Sequence, residues 1–136
     1  MQIVSKTVNI NTSKRVQMRD ITGDVEKILK TVTLSQGIIN IFSRHSTSAI
    51  IINEHETNLL RDLEDTLEAL VPENEGYGHN TIDNNADAHV RAILLGGSQA
   101  LPFENGKLDL GTWQSLFFVE LDGPRTRKIK ITIMGE

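Results

Sequence analysis

Polar and apolar residues alternate along residues 2–11, with Val4, Val8 and Ile10 on one side and Ile3, Ser5, Thr7 and Asn9 on the other. A period of two is that of a half-buried strand. The period then changes. Asp20 offers an N-cap, and Ile21, Val25, Ile28, Leu29 and Val32 recur at helical spacing, so residues 21–33 predict an amphipathic helix ended by Ser35, Gln36 and Gly37. Two β-branched runs, 38–42 and 49–52, flank a polar tip at 43–48. Runs apolar on both faces suit interior strands. Residues 56–71 predict a second helix whose stripe is Leu59, Leu60, Leu63, Leu67 and Leu70, stopped by Pro72. Residues 73–87 are rich in Gly, Asn and Asp and have no period; in a compact domain a loop this long is functional or disordered. A short helix over 86–95, ended by Gly96 and Gly97, leads into strands at 98–103, 108–110, 113–121 and 128–134. This order predicts one α+β domain, 1–136, with two packed, largely antiparallel sheets.

Composition narrows the class more than the chemistry. At 136 residues the chain suits a single domain, and 38% hydrophobic with 24% charged is ordinary for a soluble protein. A net charge of -4 supplies no attraction for nucleic acid. No apolar run approaches the ~18 residues that would span a membrane. The opening MQIVSKTVNI lacks the continuous apolar segment of a signal peptide. With no Cys there is neither a disulfide framework nor a thiolate ligand or nucleophile. A cytoplasmic protein is expected.

The stretch 102–127 is the densest in chemistry. It holds the single Trp, Trp113, three of four Phe, and then Glu120, Asp122, Arg125 and Arg127 in close succession. A carboxylate on an apolar strand, such as Glu120 or Glu54, is either paired with a cation or tuned for proton transfer. Arg125 and Arg127, with Arg44 on the polar tip, could grip a phosphate or carboxylate. Gly96, Gly97 and Ser98 could turn backbone N–H groups toward an anion, or simply stop a helix. His45, His79 and His89 stand 34 and then 10 residues apart, matching no single-element metal motif, and each taken alone reads as a structural or surface residue. His55 reads as surface. No G-x-S-x-G elbow is present.

Four blocks change that picture: RHSTSAIIINE (44–54), YGHN (77–80), NADAHVRAILLGGS (85–98) and LPFENGKLDLGTWQSLFFVELDGPRTRKIKI (101–131). In this order they resemble the YjbQ family, described as secondary thiamine-phosphate synthase enzymes. The resemblance implies a seven-stranded, two-sheet β-sandwich with helices, and a homotrimer. It makes His45, His79 and His89 recurrent positions, expected to hold a divalent metal such as Zn²⁺. Glu54, Trp113, Gln114, Glu120 and Arg125 match recurrent positions as well. The implied reaction joins hydroxymethylpyrimidine diphosphate to a thiazole phosphate. Glu54, Glu120 and Arg125 are then the expected catalytic residues, and Arg44, Ser98, Trp113, Gln114 and Arg127 the substrate-binding ones. A metal-dependent hydrolase of a small phosphorylated metabolite and a non-catalytic anion-binding module are the alternatives.

Overall fold

The computed structural model describes residues 1–136 and contains two antiparallel sheets and three α-helices. The larger sheet orders β1 (Gln2–Asn11), β8 (Thr126–Gly135), β3 (Gln36–Ser43), β5 (Ser98–Glu104) and β6 (Lys107–Leu108). The smaller orders β2 (Gln17–Asp20), β7 (Gln114–Glu120) and β4 (Ser48–Glu54). Helix α1 (Thr22–Leu29) packs into the core between the sheets, whereas α2 (Thr57–Leu70) and α3 (Ala86–Leu95) cover the far side of the smaller sheet.

The periodicities explain this layering. Every second residue of β8 points inward, so Ile129, Ile131 and Ile133 are buried while Lys128, Lys130 and Met134 face out. They meet Ile39 and Ile41 of the same sheet, Ile50, Leu116 and Phe118 of the smaller sheet, and Ile21, Val25 and Leu29 around α1. The opposite side of the smaller sheet is also dry: Ala49, Val119 and Leu121 pack against Leu67 of α2 and Ala88 and Ala92 of α3. A sheet covered on both faces needs strands apolar on both faces. That is why residues 49–52 and 116–119 carry no alternation.

Three expectations need correction. The sandwich has eight strands rather than seven, because Gln17–Asp20 pairs with β7. These four half-buried residues have too little pattern to announce a strand, and the neighbouring edge supplies it. Helix α1 ends at Leu29 rather than at residue 33. There the backbone tightens into Thr31 N–H to Ile28 O and Val32 N–H to Leu29 O bonds, and the Thr31 hydroxyl donates to Ile28 O at 2.7 Å. A β-branched hydroxyl bonding its own backbone competes with helix propagation. On α2, Leu59 and Leu70 are 39% and 69% exposed, since the small patch of Ala49, Val119 and Leu121 accommodates only a narrow stripe.

Gly37 and Gly135 face each other where β3 crosses β8. A Cβ on Gly37 would sit 1.9 Å from the Met134 carbonyl oxygen, a backbone atom that cannot swing aside. Gly37→Ala is expected to destabilise the fold by about 3 kcal/mol, the upper part of the range for overpacking. Chemical denaturation checks this; an unchanged midpoint would mean the two strands separate freely.

Candidate functional site

One end of the sandwich gathers four segments. These are the β3–β4 tip (Arg44, His45, Ser46, Thr47), the segment entering α3 (Asp83, Asn85), α3 itself through His89, and the β7–β8 turn (Asp122, Arg125) with Arg127 beyond it. Together they line an open cleft of about 400 Å³ in which every lining residue is polar.

Its floor is an ion pair. Glu120 is 0% and Arg127 3% exposed. The Arg127 guanidinium donates from Nε to Glu120 Oε1 at 2.8 Å and from Nη2 to Oε2 and to the Thr47 hydroxyl. Glu120 also accepts from the Thr12 hydroxyl at 2.8 Å and from the backbone N–H groups of Leu121 and Asp122, each at 3.0 Å. Burial pushes its carboxyl upward. The hydrogen bonds from Arg127, Asp122 N–H and Thr12, with the Arg127 charge, outweigh burial and hold it below the ordinary glutamate value. A carboxylate this well satisfied is a poor base. Glu120 and Arg127 thus form a mutually satisfied buried pair beneath the cleft.

His45 is neutral by construction. The Lys128 backbone N–H donates to its Nε2 at 2.9 Å, so that nitrogen carries a lone pair and the ring proton sits on Nδ1. Burial lowers its pKa below 6.5, Arg127 lowers it further, Glu120 opposes, and Arg125 and Arg44 add to the depression. As pH falls, the unfolded chain takes up this proton before the folded one. The associated stability is complete above 6.5 and is lost as pH drops toward the folded pKa. The melting temperature of wild type relative to His45→Gln is therefore expected to fall on acidification below about pH 6.5. A difference that stays flat from pH 7.5 to 5 would contradict the depressed pKa.

His79 and His89 meet edge to face with ring centroids 4.8 Å apart. Asn85, 7% exposed, bridges onward. Its Nδ2 donates to Asp122 Oδ2 at 2.9 Å, and its Oδ1 faces His79 Nε2, also at 2.9 Å. Asp122 in turn receives Arg125, from Nη2 to Oδ2 at 2.9 Å and from Nε to its backbone oxygen at 2.7 Å. Arg125 is thus held along one edge, and Nη1 makes no hydrogen bond within the chain. Arg44 stands exposed at the lip.

The other expected residues lie elsewhere. In the β4–β7 pairing Ser48 faces Glu120 at the cleft end, and Glu54 faces Gln114 at the opposite end. Six residue steps along the strand separate these pairs, roughly 20 Å. Glu54, Gln114 and Trp113, the last 73% exposed, are therefore remote from this chain's own cleft. Ser98 is exposed and pairs with Phe42 in the larger sheet, outside the cleft lining. Within this chain no group of three or more His, Asp or Glu side chains is drawn together around one point. Nε2 of His45 accepts from Lys128 N–H and Nε2 of His79 meets Asn85, so in each ring Nδ1 is the nitrogen without a partner in this chain. Asp122, one of the charged residues of the 102–127 stretch, and Asn85, in the long Gly/Asn-rich loop, receive no site role from sequence; NNAD opening a helix and DGPR in a turn are the local signals they leave. His55 is exposed, as expected of a surface residue, and its Nδ1 meets Asp20 Oδ2 at 2.7 Å beside Phe117.

Fold and cleft define an α+β sandwich with a polar, arginine-bearing pocket at one end. The chain belongs to the YjbQ-like UPF0047 family, whose model matches residues 6–136. A UPF0047 protein of Methanothermobacter thermautotrophicus is 54% identical over all of this chain and 95% of its own length. YugU of Bacillus subtilis is 39% identical over 96% of this chain and 98% of its own. Among solved structures, a YbjQ-like protein of unknown function from Sulfolobus solfataricus superposes with a TM-score of 0.95 at 40% identity, covering 99% of both chains. No helix is long and apolar enough to cross a membrane.

Proposed function

We propose that this chain is a transferase of the thiamine-phosphate synthase type, joining hydroxymethylpyrimidine diphosphate to a thiazole phosphate in the cleft. In that reaction a C–N bond forms at the pyrimidine methylene carbon, the C–O bond to the diphosphate breaks, and its electron pair leaves with pyrophosphate. Negative charge grows on the departing group, so the catalytic requirement is a preorganised set of donors aimed at it. The observation that supports this reading is the pairing of Arg44 and Arg125 on a cleft with no apolar lining, behind which Arg127 is already neutralised by Glu120. His45 adds a neutral Nδ1–H donor. A homotrimer in the cytoplasm belongs to the same proposal. It is supported by Ile3, Ile38 and Met134, register neighbours exposed on the outer face of the larger sheet, and by Ile93 and Leu94 exposed on α3.

The test is release of pyrophosphate and formation of the joined product from the two substrates by the untagged protein, with and without added Zn²⁺, Mn²⁺ or Mg²⁺. Turnover lost in His89→Ala with folding and oligomeric mass intact supports the reading. Hydrolysis of phosphate esters without joining would favour the hydrolase instead, and pyrophosphate binding without turnover would favour the anion-binding module. Light scattering checks the trimer, and a monomer would remove that part.

A further inference from the structure

We infer that Asn85 and Asp122 are positioning residues: a buried bridge that sets the His79 tautomer at one end and aims Arg125 at the anion at the other. The inference rests on the anion-binding reading of the cleft. An ionised carboxylate only accepts hydrogen bonds, so the Asn85 atom facing Asp122 must be its NH₂. Its amide oxygen then faces His79, and an amide oxygen only accepts. His79 Nε2 must therefore carry a proton, which leaves Nδ1 with the lone pair when the ring is neutral. At the other end, Asp122 and its backbone oxygen take Nε and Nη2 of Arg125, a side chain otherwise half exposed on a turn. A guanidinium fixed along one edge presents the other in a defined direction, and less rotamer freedom is lost when a ligand binds. Asn85 is nearly buried and so is not free to rotate its amide. Both of its ends are committed, one to a histidine and one to the carboxylate that holds the arginine.

The consequence has a sign that simple charge does not share. Asp122 is a negative group beside a cation proposed to bind an anion. If it acted only through its charge, removing that charge would tighten anion binding. If it positions Arg125, removing it weakens binding although the cleft becomes more positive. Asn85 and Arg125 both donate to Oδ2, so Asp122→Ala removes the shared acceptor together with its charge and leaves the backbone oxygen in place. Titration calorimetry of the full chain with pyrophosphate is expected to show at least about fivefold weaker binding in Asp122→Ala than in wild type, about 1 kcal/mol from the relation between affinity and free energy. Unchanged or tighter binding overturns the Arg125 half of the bridge.

The His79 half is read separately, without any ligand. Long-range ¹H–¹⁵N spectra of the wild-type protein above the histidine pKa are expected to show His79 protonated at Nε2. Asn85→Ala is expected to mix the two tautomers. Asn85→Asp, which keeps an acceptor for His79 but loses the donor to Asp122, is expected to restore the Nε2–H form while weakening pyrophosphate binding. A wild-type His79 protonated at Nδ1, or a tautomer indifferent to Asn85→Ala, overturns it. Should wild type bind no pyrophosphate, the anion reading of the cleft fails and takes the Arg125 half with it, while the His79 spectra still judge the tautomer assignment.

Discussion

Arg127→Ala is expected to destabilise the protein by about 3–5 kcal/mol, the cost of breaking a buried ion pair by removing one partner. Glu120 would be left ionised, 0% exposed, with its strongest donor gone. Thr12 and two backbone N–H groups would remain, which keeps the figure within that range rather than beyond it. In a domain this size the melting temperature should drop by about 10–15 °C. Calorimetry or circular dichroism measures it, and a drop under about 3 °C would mean that water reaches the pair. Replacing both partners by leucine should recover part of the loss, because the burial penalty of two charges disappears with their attraction. The pair also sets an acid limit. Glu120 is held below its ordinary 4.5, so its contribution is complete above that pH and is lost as pH falls through the lower folded value.

A double substitution, Arg44→Ala with Arg125→Ala, is expected to weaken pyrophosphate binding by at least about 100-fold. Each lost charge-assisted hydrogen bond is worth about 1.5–3 kcal/mol, and two of them reach that figure. Stability should change by less than about 1 kcal/mol, because both guanidiniums are exposed and the one carboxylate involved, Asp122, keeps Asn85. This separation between binding and folding distinguishes the two arginines at the cleft's surface from Arg127 in its floor. Three arginines close in space are thus expected to do two different jobs, decided by where their partners lie. Equal affinity in wild type and the double variant would remove the cleft as the anion site.

Much of the architecture was legible because periodicity reports burial directly. The alternation in residues 128–134 and the absence of alternation in 49–52 are consequences of one covered face and two covered faces, and both survive in the fold. Residues 86–95 read as a helix and form one over those same residues, bounded by Gly96 with its φ of 93°. Strand β2 escaped because four residues carry too little pattern, and Leu59 and Leu70 misled because a stripe shows which side of a helix is apolar, not how wide a surface awaits it.

The site divides along the same line. Sequence alone determined which groups are available: a hairpin tip bearing an arginine and a histidine, histidines within and just after a long loop, and a charged turn after an apolar strand. It also determined the family, through blocks whose order is specific. Only the tertiary structure decided their roles. Register along β4 and β7 is set by the pairing of strands from different parts of the chain, and it sends Glu120 to one end and Glu54 and Gln114 to the other. Hydrogen bonds across 80 or more residues join Arg127 to Thr47 and Lys128 to His45, making one a buried prop and the other a neutral donor. A residue type states what a group can do; the partners that fold against it, from positions distant in the chain, settle its protonation and its reach.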